Sequence, residues 1–213
     1  MRLSFAVTIA ALALVSPVYA AGGLSGMGAN LFGNYFNFAK SNLSKAPVKK
    51  ITAGPMAMEL QHTKLADIKK RFGGTVRKQG DGAGIGTWLC YHTDGSKAPA
   101  ANTWFISNNF GGGEFIMIVA VEAADPAKMP ADCDAAPANF ALPDLGIPGL
   151  DATTADLKGA FGAASGSKIA YRADYPAADA LGTAITAQYI GYMLKSGKVA
   201  GYGVGETAIA NVK

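Results

Sequence analysis

The sequence contains few of the residues from which catalytic and metal centres are usually built. Its 213 residues include two histidines, two cysteines and two tryptophans, and only 16% of the residues are charged. The motifs G-x-S-x-G, H-E-x-x-H and C-x-x-C are absent, and so is a phosphate-binding P-loop. The sequence therefore carries the motif of no recognisable enzyme class, and we expect a non-enzymatic protein without a metal or a cofactor.

The sequence also lacks a concentrated block of positive charge. The formal net charge is +4, and the lysines and arginines are scattered along the chain, whereas nucleic-acid-binding proteins concentrate their basic residues in a patch. We therefore expect no nucleic-acid partner. Half of the residues are apolar, which is typical of a folded chain and not of a disordered one.

The only long apolar run lies at the N-terminus. Arg2 precedes the apolar residues 5–18, and Val18 and Ala20 supply the small residues of a cleavage site. This pattern is typical of a secretory signal peptide, residues 1–20, cleaved after Ala20. No later run reaches eighteen apolar residues, so no membrane span is expected, and the protein is predicted to be periplasmic or secreted.

The two cysteines, Cys90 and Cys133, are expected to form a disulfide, because exported proteins fold in an oxidising compartment. The loop closed by this bond spans 133 − 90 = 43 residues, for which chain entropy gives a stabilisation of roughly 4 kcal/mol. The alternative is a nucleophilic Cys90 assisted by His92. Residues two apart on a strand lie about 7 Å from each other, so the disulfide is favoured.

One short pattern occurs twice, as ADIKKRFGG at 66–74 and as ADLKGAFGA at 155–163. Five positions are identical: Ala66 and Ala155, Asp67 and Asp156, Lys69 and Lys158, Phe72 and Phe161, and Gly73 and Gly162. Apolar residues three and four positions apart predict a short helix in each copy. Thr63 is the expected N-cap of the first helix, and Thr153 with Asp156 has the spacing of a capping box in the second. Phe72 and Phe161 are expected to be equivalent buried anchors.

Strand-like segments follow each copy. They are 75–79, 87–93, 102–108 and 114–122 after the first helix, and 167–175, 186–194 and 198–206 after the second. The sequence therefore predicts an α+β fold of two tandem units, each a short helix packed on an antiparallel sheet. The expected organisation is a signal peptide (1–20), an N-terminal extension (21–50) with a short helix within 31–43, a first repeat (51–123), an Ala/Pro linker (124–146) and a second repeat (147–213).

A cap, a short helix ending in Phe-Gly and antiparallel strands, present in tandem on an exported chain, resemble the β-lactamase inhibitor protein-like fold. The resemblance covers about 51–123 and 147–209. It implies two units whose joined sheet offers a concave face to a partner protein. No loop of this sequence matches the target-binding loops of the inhibitors, so no inhibitory residue is carried over.

Aromatic residues in the strands are the best candidates for a binding surface. One helix covers only one face of a sheet, so Tyr91, Phe110, Tyr189 and Tyr202 are predicted to include anchors on the open face. Tyr91 is the first choice, because period-two alternation places it opposite Cys90. Gly201, Gly203 and Gly205 share one strand face, where they allow close packing of a helix or form the floor of a ligand groove.

Two binding functions follow from this pattern. The first is an exported protein-binding module, an inhibitor or an envelope interaction protein, whose partner is an envelope or secreted protein. The alternative is a protein that binds a small molecule or a lipid in an apolar groove. A broad exposed aromatic face would favour the first, and a pocket of several hundred Å³ the second. Met56, Met58 and His62 could form a copper site, but packing of both methionines in the core is favoured.

Overall fold

The computed structural model describes most of the chain after the predicted signal peptide. The described residues are 23–33, 35–36, 38, 40–80, 85–108, 113–176 and 184–210. The predicted signal peptide therefore lies outside them. No helix among the described residues is long and apolar enough to cross a membrane.

Three short helices and ten strands form the described part of the chain. The helices are α1 (Gly26–Phe32), α2 (Leu65–Phe72) and α3 (Thr154–Phe161). The strands are β1 (Ile51–Ala53), β2 (Met56–Met58), β3 (Arg77–Gln79), β4 (Gly86–Thr93), β5 (Ala101–Asn108), β6 (Ile118–Ala123), β7 (Asp134–Ala135), β8 (Lys168–Pro176), β9 (Ala184–Lys195) and β10 (Lys198–Ala210). The fold is thus mixed and mostly sheet, which confirms the α+β class.

One large sheet organises the fold. Its strand order is β3–β4–β5–β6–β10–β9–β8, with antiparallel pairing throughout, and β7 pairs in parallel with the outer edge of β4. The centre of the sheet is the β6–β10 pair, where Val121 lies opposite Tyr202. β1 and β2 form a separate hairpin. The strands β3 to β6 therefore run from one edge of the sheet to its centre, and the strands β8 to β10 run from the other edge to the centre.

The predicted strand 114–122 begins late, at Ile118. The backbone before it pairs with the start of α2: Lys64 bridges Phe115, and the backbone N–H of Leu65 donates to the carbonyl oxygen of Glu114 at 2.8 Å. These residues have extended backbone, but they bind a helix start instead of a neighbouring strand. Pairing of this kind depends on the tertiary fold and is invisible in a hydropathy pattern.

The two sheet-packed helices begin differently. Thr153 and Asp156 form the predicted capping box at α3, in which each side chain satisfies a free backbone N–H group. At α2, the prediction of Thr63 as N-cap is wrong, because the N-cap is Lys64 and no side chain caps the helix. The hydroxyl of Thr63 instead accepts a hydrogen bond from the backbone N–H of Glu59 at 2.9 Å.

Both helices end at a glycine, and a tyrosine on the sheet binds a backbone carbonyl at or next to each glycine. Gly73 and Gly162 have φ angles of 74° and 93°, a region that disfavours residues with a Cβ. The hydroxyl of Tyr91 on β4 donates to the carbonyl oxygen of Gly73 at 2.8 Å. The hydroxyl of Tyr171 on β8 donates to the carbonyl oxygen of Ala163 at 2.9 Å. A tyrosine on the sheet therefore fixes each helix end.

The approach to each helix also matches. Gln61 and Asp151 both have left-handed backbone, with φ angles of 62° and 64°. The backbone N–H of Gln61 donates to the carbonyl oxygen of Ile116 at 2.8 Å, and that of Asp151 donates to the carbonyl oxygen of Val199 at 3.0 Å. Non-glycine residues rarely adopt this conformation, so its occurrence before both helices is a specific similarity.

Aromatic side chains fill the space between the sheet and these helices. The ring of Phe72 lies 6.0 Å from that of Tyr91, and Tyr91 lies 4.9 Å from Phe140. The ring of Phe161 lies 4.6 Å from that of Tyr171. Phe72 is buried, whereas Phe161 is only half-buried. Both phenylalanines therefore contact the sheet, but they are not equally buried anchors.

The opposite face of the sheet is covered by α1 and the residues that follow it. Met27 and Leu31 are almost fully buried there, in a second hydrophobic cluster with Trp88, Trp104 and Ile118. The predicted helix within 31–43 is wrong in position, because the helix spans Gly26–Phe32. Glycine within α1 allows this close packing, because a Cβ added to Gly28 would lie 2.8 Å from Cγ of Trp104.

Candidate functional site

The structure places the four predicted anchors in different environments. Tyr91 and Tyr202 are buried on the α2 and α3 side of the sheet, and Tyr189 is half-buried on the opposite side, 4.7 Å from the ring of Phe38. Phe110 lies outside the described residues. The expected placement of Tyr91 on an open face is wrong, because α2 and Phe140 cover that face. A contact of any of the four with a partner stays a prediction.

The other face of the sheet, which carries Cys90 and lies opposite α2 and α3, is closed by α1. A Cβ added to Gly203 would lie 2.5 Å from Cδ1 of Leu31 and 2.5 Å from the carbonyl oxygen of Val119, and one added to Gly201 would lie 3.5 Å from Sδ of Met27. The glycine stripe therefore makes room for a helix, which was one of its two predicted roles. Burial of Met27 and Leu31 stabilises this arrangement by about 1.5–3 kcal/mol each.

Two carboxylates bind the start of α1 to the sheet side. Asp132 accepts hydrogen bonds from the hydroxyl of Ser25 at 2.7 Å and from the indole N–H of Trp104 at 3.0 Å. Glu122 accepts the backbone N–H of Met27 at 2.8 Å. Burial raises the pKa of the Glu122 carboxyl, and the hydrogen bond from Met27 opposes this shift. With the apolar contacts, these bonds make α1 an integral part of the fold.

A disulfide bond joins Cys90 and Cys133, as predicted. It connects β4 to the segment before β7, and Asp132 beside it holds α1. The sulfur atoms and the Asp132 carboxylate lie within 4.8 Å of one another. Because both sulfur atoms are used in the disulfide, this cluster is not a metal site in the oxidised protein.

A concave surface lies at the end of the sheet where β8, β9 and β10 meet the approach to α2. We name it the sheet-end cleft. Its volume is about 760 Å³, within the range of about 300–1,000 Å³ that is usual for small-molecule sites. It is lined by Ser44, Lys45, Ala46, Val48, Lys49, Ile51, Glu59, Leu60, Gln61, His62, Tyr175, Thr186 and Glu206.

Glu206 is the centre of a hydrogen-bond network in this cleft. Its Oε1 accepts the hydroxyl of Tyr175 at 2.8 Å and Nε2 of Gln188 at 2.6 Å, and its Oε2 accepts Nε2 of Gln61 at 3.3 Å. The Gln188 side chain also bonds both the N–H and the carbonyl of Val48, at 2.9 and 2.7 Å. That double contact determines which end of the amide is the donor, so Gln188 donates to Glu206.

All three neighbours of Glu206 donate to its oxygens, a pattern that suits a carboxylate, which acts only as an acceptor. Burial, and then the hydrogen bond to Glu206, raise the pKa of the Tyr175 hydroxyl, so Tyr175 remains a protonated donor at physiological pH. Among the residues that the structure describes, Glu206 has no ion-pair partner. The network therefore holds an anion in a fixed orientation without neutralising it.

The other charged residues of the cleft lie at its rim. Lys45, Lys49, Glu59 and His62 are all exposed. Met58, which a copper site would need, is buried in the core, while Met56 is half-buried and His62 faces the cleft. The structure therefore does not bring the three residues of the copper alternative together in one exposed site.

His92 lies at the other end of the sheet, in a smaller cleft of about 300 Å³. Its Nδ1 is 2.8 Å from Oδ1 of Asn102, and its Nε2 is 3.4 Å from the carbonyl oxygen of Pro126. The side chain is buried, and both of its nitrogens have polar neighbours. These contacts give His92 a structural role and separate it from His62, so the two histidines cannot act in one site.

Sequence reasoning missed Glu206 and Gln188 as site residues, although a signal for them exists. Glu206 follows Tyr202 and Val204 on the apolar side of β10, and Gln188 precedes Ile190 and Tyr192 on the same side of β9. Polar residues at the ends of apolar strand faces predict a buried polar network. The two positions lie opposite each other in the sheet register, which hydropathy alone does not reveal.

Comparisons of the chain with protein-family models, with curated proteins and with solved structures give no match.

Proposed function

We propose that this protein is an exported, non-enzymatic binding protein whose ligand is a small molecule that enters the sheet-end cleft. The observation that carries this proposal is the oriented carboxylate of Glu206 in the wall of a cleft of about 760 Å³. Sites of this kind combine an apolar wall with a few polar groups that fix the orientation of the ligand. Val48, Ile51 and Leu60 supply the apolar wall.

Export is supported by two features. The first twenty residues have the pattern of a signal peptide, and Cys90 and Cys133 form a disulfide, a bond that persists in oxidising compartments. The absence of a membrane-spanning helix among the described residues is compatible with a periplasmic or secreted location.

A cleft-filling variant tests the proposal. Ala46→Trp adds a large ring to the cleft lining, whereas Ala57→Trp on β2 adds the same ring to an exposed position outside the lining. Both mature variants and the wild type are incubated with a small-molecule extract of the producing cells, and the melting temperature and retained compounds are measured. A ligand at a hundred times its Kd should stabilise the fold by about 2.7 kcal/mol, or roughly 5–10 °C at this chain length.

We expect this stabilisation, and the retained compound, in the wild type and in Ala57→Trp but not in Ala46→Trp. Equal retention by all three proteins would place the ligand outside the cleft and contradict the proposal. No retention by the wild type would contradict it as well.

We also propose that the chain is built from two tandem α/β units, 51–123 and 147–213, that share one sheet. Three similarities support this reading: the tyrosine bond to each helix end, the left-handed residue before each helix, and the meeting of β6 with β10, the last strand of each unit. Under this proposal the sheet-end cleft lies beside the approach to α2, where the first unit meets the strands of the second.

Binding of a partner protein is a second proposal, favoured by that arrangement, because the resemblance to the inhibitors implies two units that bind a protein. Both sheet faces are covered, so an envelope or secreted partner would contact the loop at 94–101. Lys97→Glu should weaken a stoichiometric complex measured by light scattering after gel filtration, and Lys40→Glu, which is also exposed, should not. If the mature protein forms no stoichiometric complex with any envelope protein, this second proposal is wrong.

A further inference from the structure

The two oxygens of the Glu206 carboxylate are not equally used. Oε1 accepts two hydrogen bonds, at 2.8 and 2.6 Å, which fill its two lone-pair sites. Oε2 accepts one bond, at 3.3 Å, from Gln61. Gln61 and Glu206 both line the sheet-end cleft. One acceptor position of an ionised group is therefore available to a ligand in the cleft.

The charge of Glu206 determines which ligand groups this position favours. Tyr175, Gln188 and Gln61 are neutral donors, and none of the described residues forms an ion pair with Glu206. A hydrogen bond between two ionised groups is roughly twice as strong as one between neutral groups. A ligand carboxylate or phosphate would instead face an uncompensated negative charge at close range.

Part of the cleft wall is apolar. Val48, Ile51 and Leu60 are buried residues that also line the cleft, so a hydrocarbon group placed there loses contact with water. At the rim, Lys45 and Lys49 are exposed and would repel a ligand with several positive charges. One cationic group on an apolar body fits these three features together.

On the basis of the proposed function, we infer that the ligand of the sheet-end cleft is a monoamine with a hydrocarbon body, whose ammonium group binds Oε2 of Glu206. The ammonium donates to Oε2, and the hydrocarbon body contacts the wall formed by Val48, Ile51 and Leu60. The specificity is for one positive charge: an alcohol of the same length binds more weakly, and a carboxylate is rejected.

Three probes of equal length test this inference on the mature protein: hexylammonium, hexanol and hexanoate. Binding is measured by calorimetry and by NMR shifts of the residues that line the cleft. We expect hexylammonium to bind at least about tenfold more tightly than hexanol, the ratio that corresponds to 1.4 kcal/mol, and hexanoate not to bind. Hexanoate binding as tightly as hexylammonium would overturn the inference.

Two variants locate the charge. Glu206→Gln removes the negative charge and keeps the size, and it should weaken hexylammonium binding roughly tenfold or more while leaving hexanol binding within about twofold. Asp67→Asn removes an exposed carboxylate outside the cleft lining and should change hexylammonium binding less than about threefold, because exposed charges contribute little. An equal effect of both variants would show that general electrostatics, and not Glu206, selects the amine, and would overturn the inference.

The outcomes separate this inference from the proposed function. If a retained natural compound is lost in Ala46→Trp but is neutral or anionic, the cleft binds a ligand and the inference about the amine is wrong. If none of the probes shifts cleft residues and the wild type also retains nothing, both are wrong. The comparison of probes on the wild type is independent of whether Glu206→Gln folds.

Discussion

Replacing Gly203 with alanine should destabilise the protein, because the added methyl group has no space between β10 and α1. The new Cβ would lie 2.5 Å from Cδ1 of Leu31, 2.5 Å from the carbonyl oxygen of Val119 and 2.9 Å from Cα of Ala120. The first atom belongs to a side chain that can rotate. The other two belong to the backbone of β6, which is fixed by its pairing with β5 and β10.

The size of the effect follows from that geometry. Adding a methyl group to a tightly packed site costs about 1–3 kcal/mol, and the two backbone contacts place Gly203→Ala near the upper end. For a chain of about this length, 1 kcal/mol corresponds to roughly 2–4 °C in melting temperature. A loss of about 2–3 kcal/mol is therefore a fall of roughly 4–12 °C.

Gly201 is the matched control on the same strand. A Cβ there would have Sδ of Met27 and Cγ of Glu122 as near neighbours, at 3.5 and 3.6 Å, which is ordinary van der Waals contact. Gly201→Ala should change the free energy of unfolding by less than about 1 kcal/mol, because alanine also restricts the unfolded chain. Urea denaturation of both mature variants measures the difference. Equal stability of the two variants would refute the packing of α1 on this strand.

Three further predictions follow from the structure. Burial raises the pKa of Glu122 in the folded protein, so the wild type loses stability as the pH rises through that pKa. Glu122→Gln should therefore be more stable than the wild type at pH 7. This difference in stability should disappear below about pH 4.5, which is near the pKa of the glutamate in the unfolded chain. Melting curves measured from about pH 3 to pH 8, a range that includes the usual pKa values of carboxyl groups, check this prediction. A difference in stability between the two proteins that grows as the pH falls would contradict it. Tyr91→Phe and Tyr171→Phe each remove one hydroxyl bond to a helix end and should each cost about 1 kcal/mol in urea denaturation; a cost at only one site would argue against matching units. Phe72→Ala should lower the free energy of unfolding by about 3–5 kcal/mol, and Phe161→Ala should lower it less, because Phe161 is only half-buried. A larger loss for Phe161→Ala than for Phe72→Ala in the same assay would contradict these helix–sheet contacts.

The sequence predicts the helices and strands that carry local patterns. The capping box at Thr153 and Asp156 and the glycines that end both helices are present as expected, because caps and left-handed glycines depend on only a few neighbouring residues. Strands β4, β5, β8, β9 and β10 lie close to their predicted ranges. Period-two alternation also separates Tyr91 from Cys90 correctly: the two side chains lie in different hydrophobic clusters.

The sequence does not predict what covers each sheet face. Alternation states that Tyr91 and Cys90 point to opposite sides, but only the tertiary fold shows that α2 and Phe140 lie over one and α1 over the other. Helix α1 has seven residues, two of which are glycines, and it has little helical pattern of its own. Its position depends on contacts with strands more than ninety residues away, such as that of Glu122 with Met27.

The sequence does not show, for the same reason, that the residues of the candidate site come together. Glu206, Tyr175 and Gln188 are brought together by the register of β8, β9 and β10, and Gln61 reaches them from a separate turn. Each residue alone resembles an ordinary strand-end residue. Only the hydrogen-bond partners in the folded chain identify Glu206 as an oriented anion in a cleft.

A crystal structure of the mature protein with bound hexylammonium would show where the amine binds. We expect its nitrogen about 2.7–2.9 Å from Oε2 of Glu206, the usual distance for a charge-assisted hydrogen bond, and its hydrocarbon chain against Val48, Ile51 and Leu60. A bound amine that contacts neither Glu206 nor this apolar wall would contradict the assignment of the sheet-end cleft as the binding site.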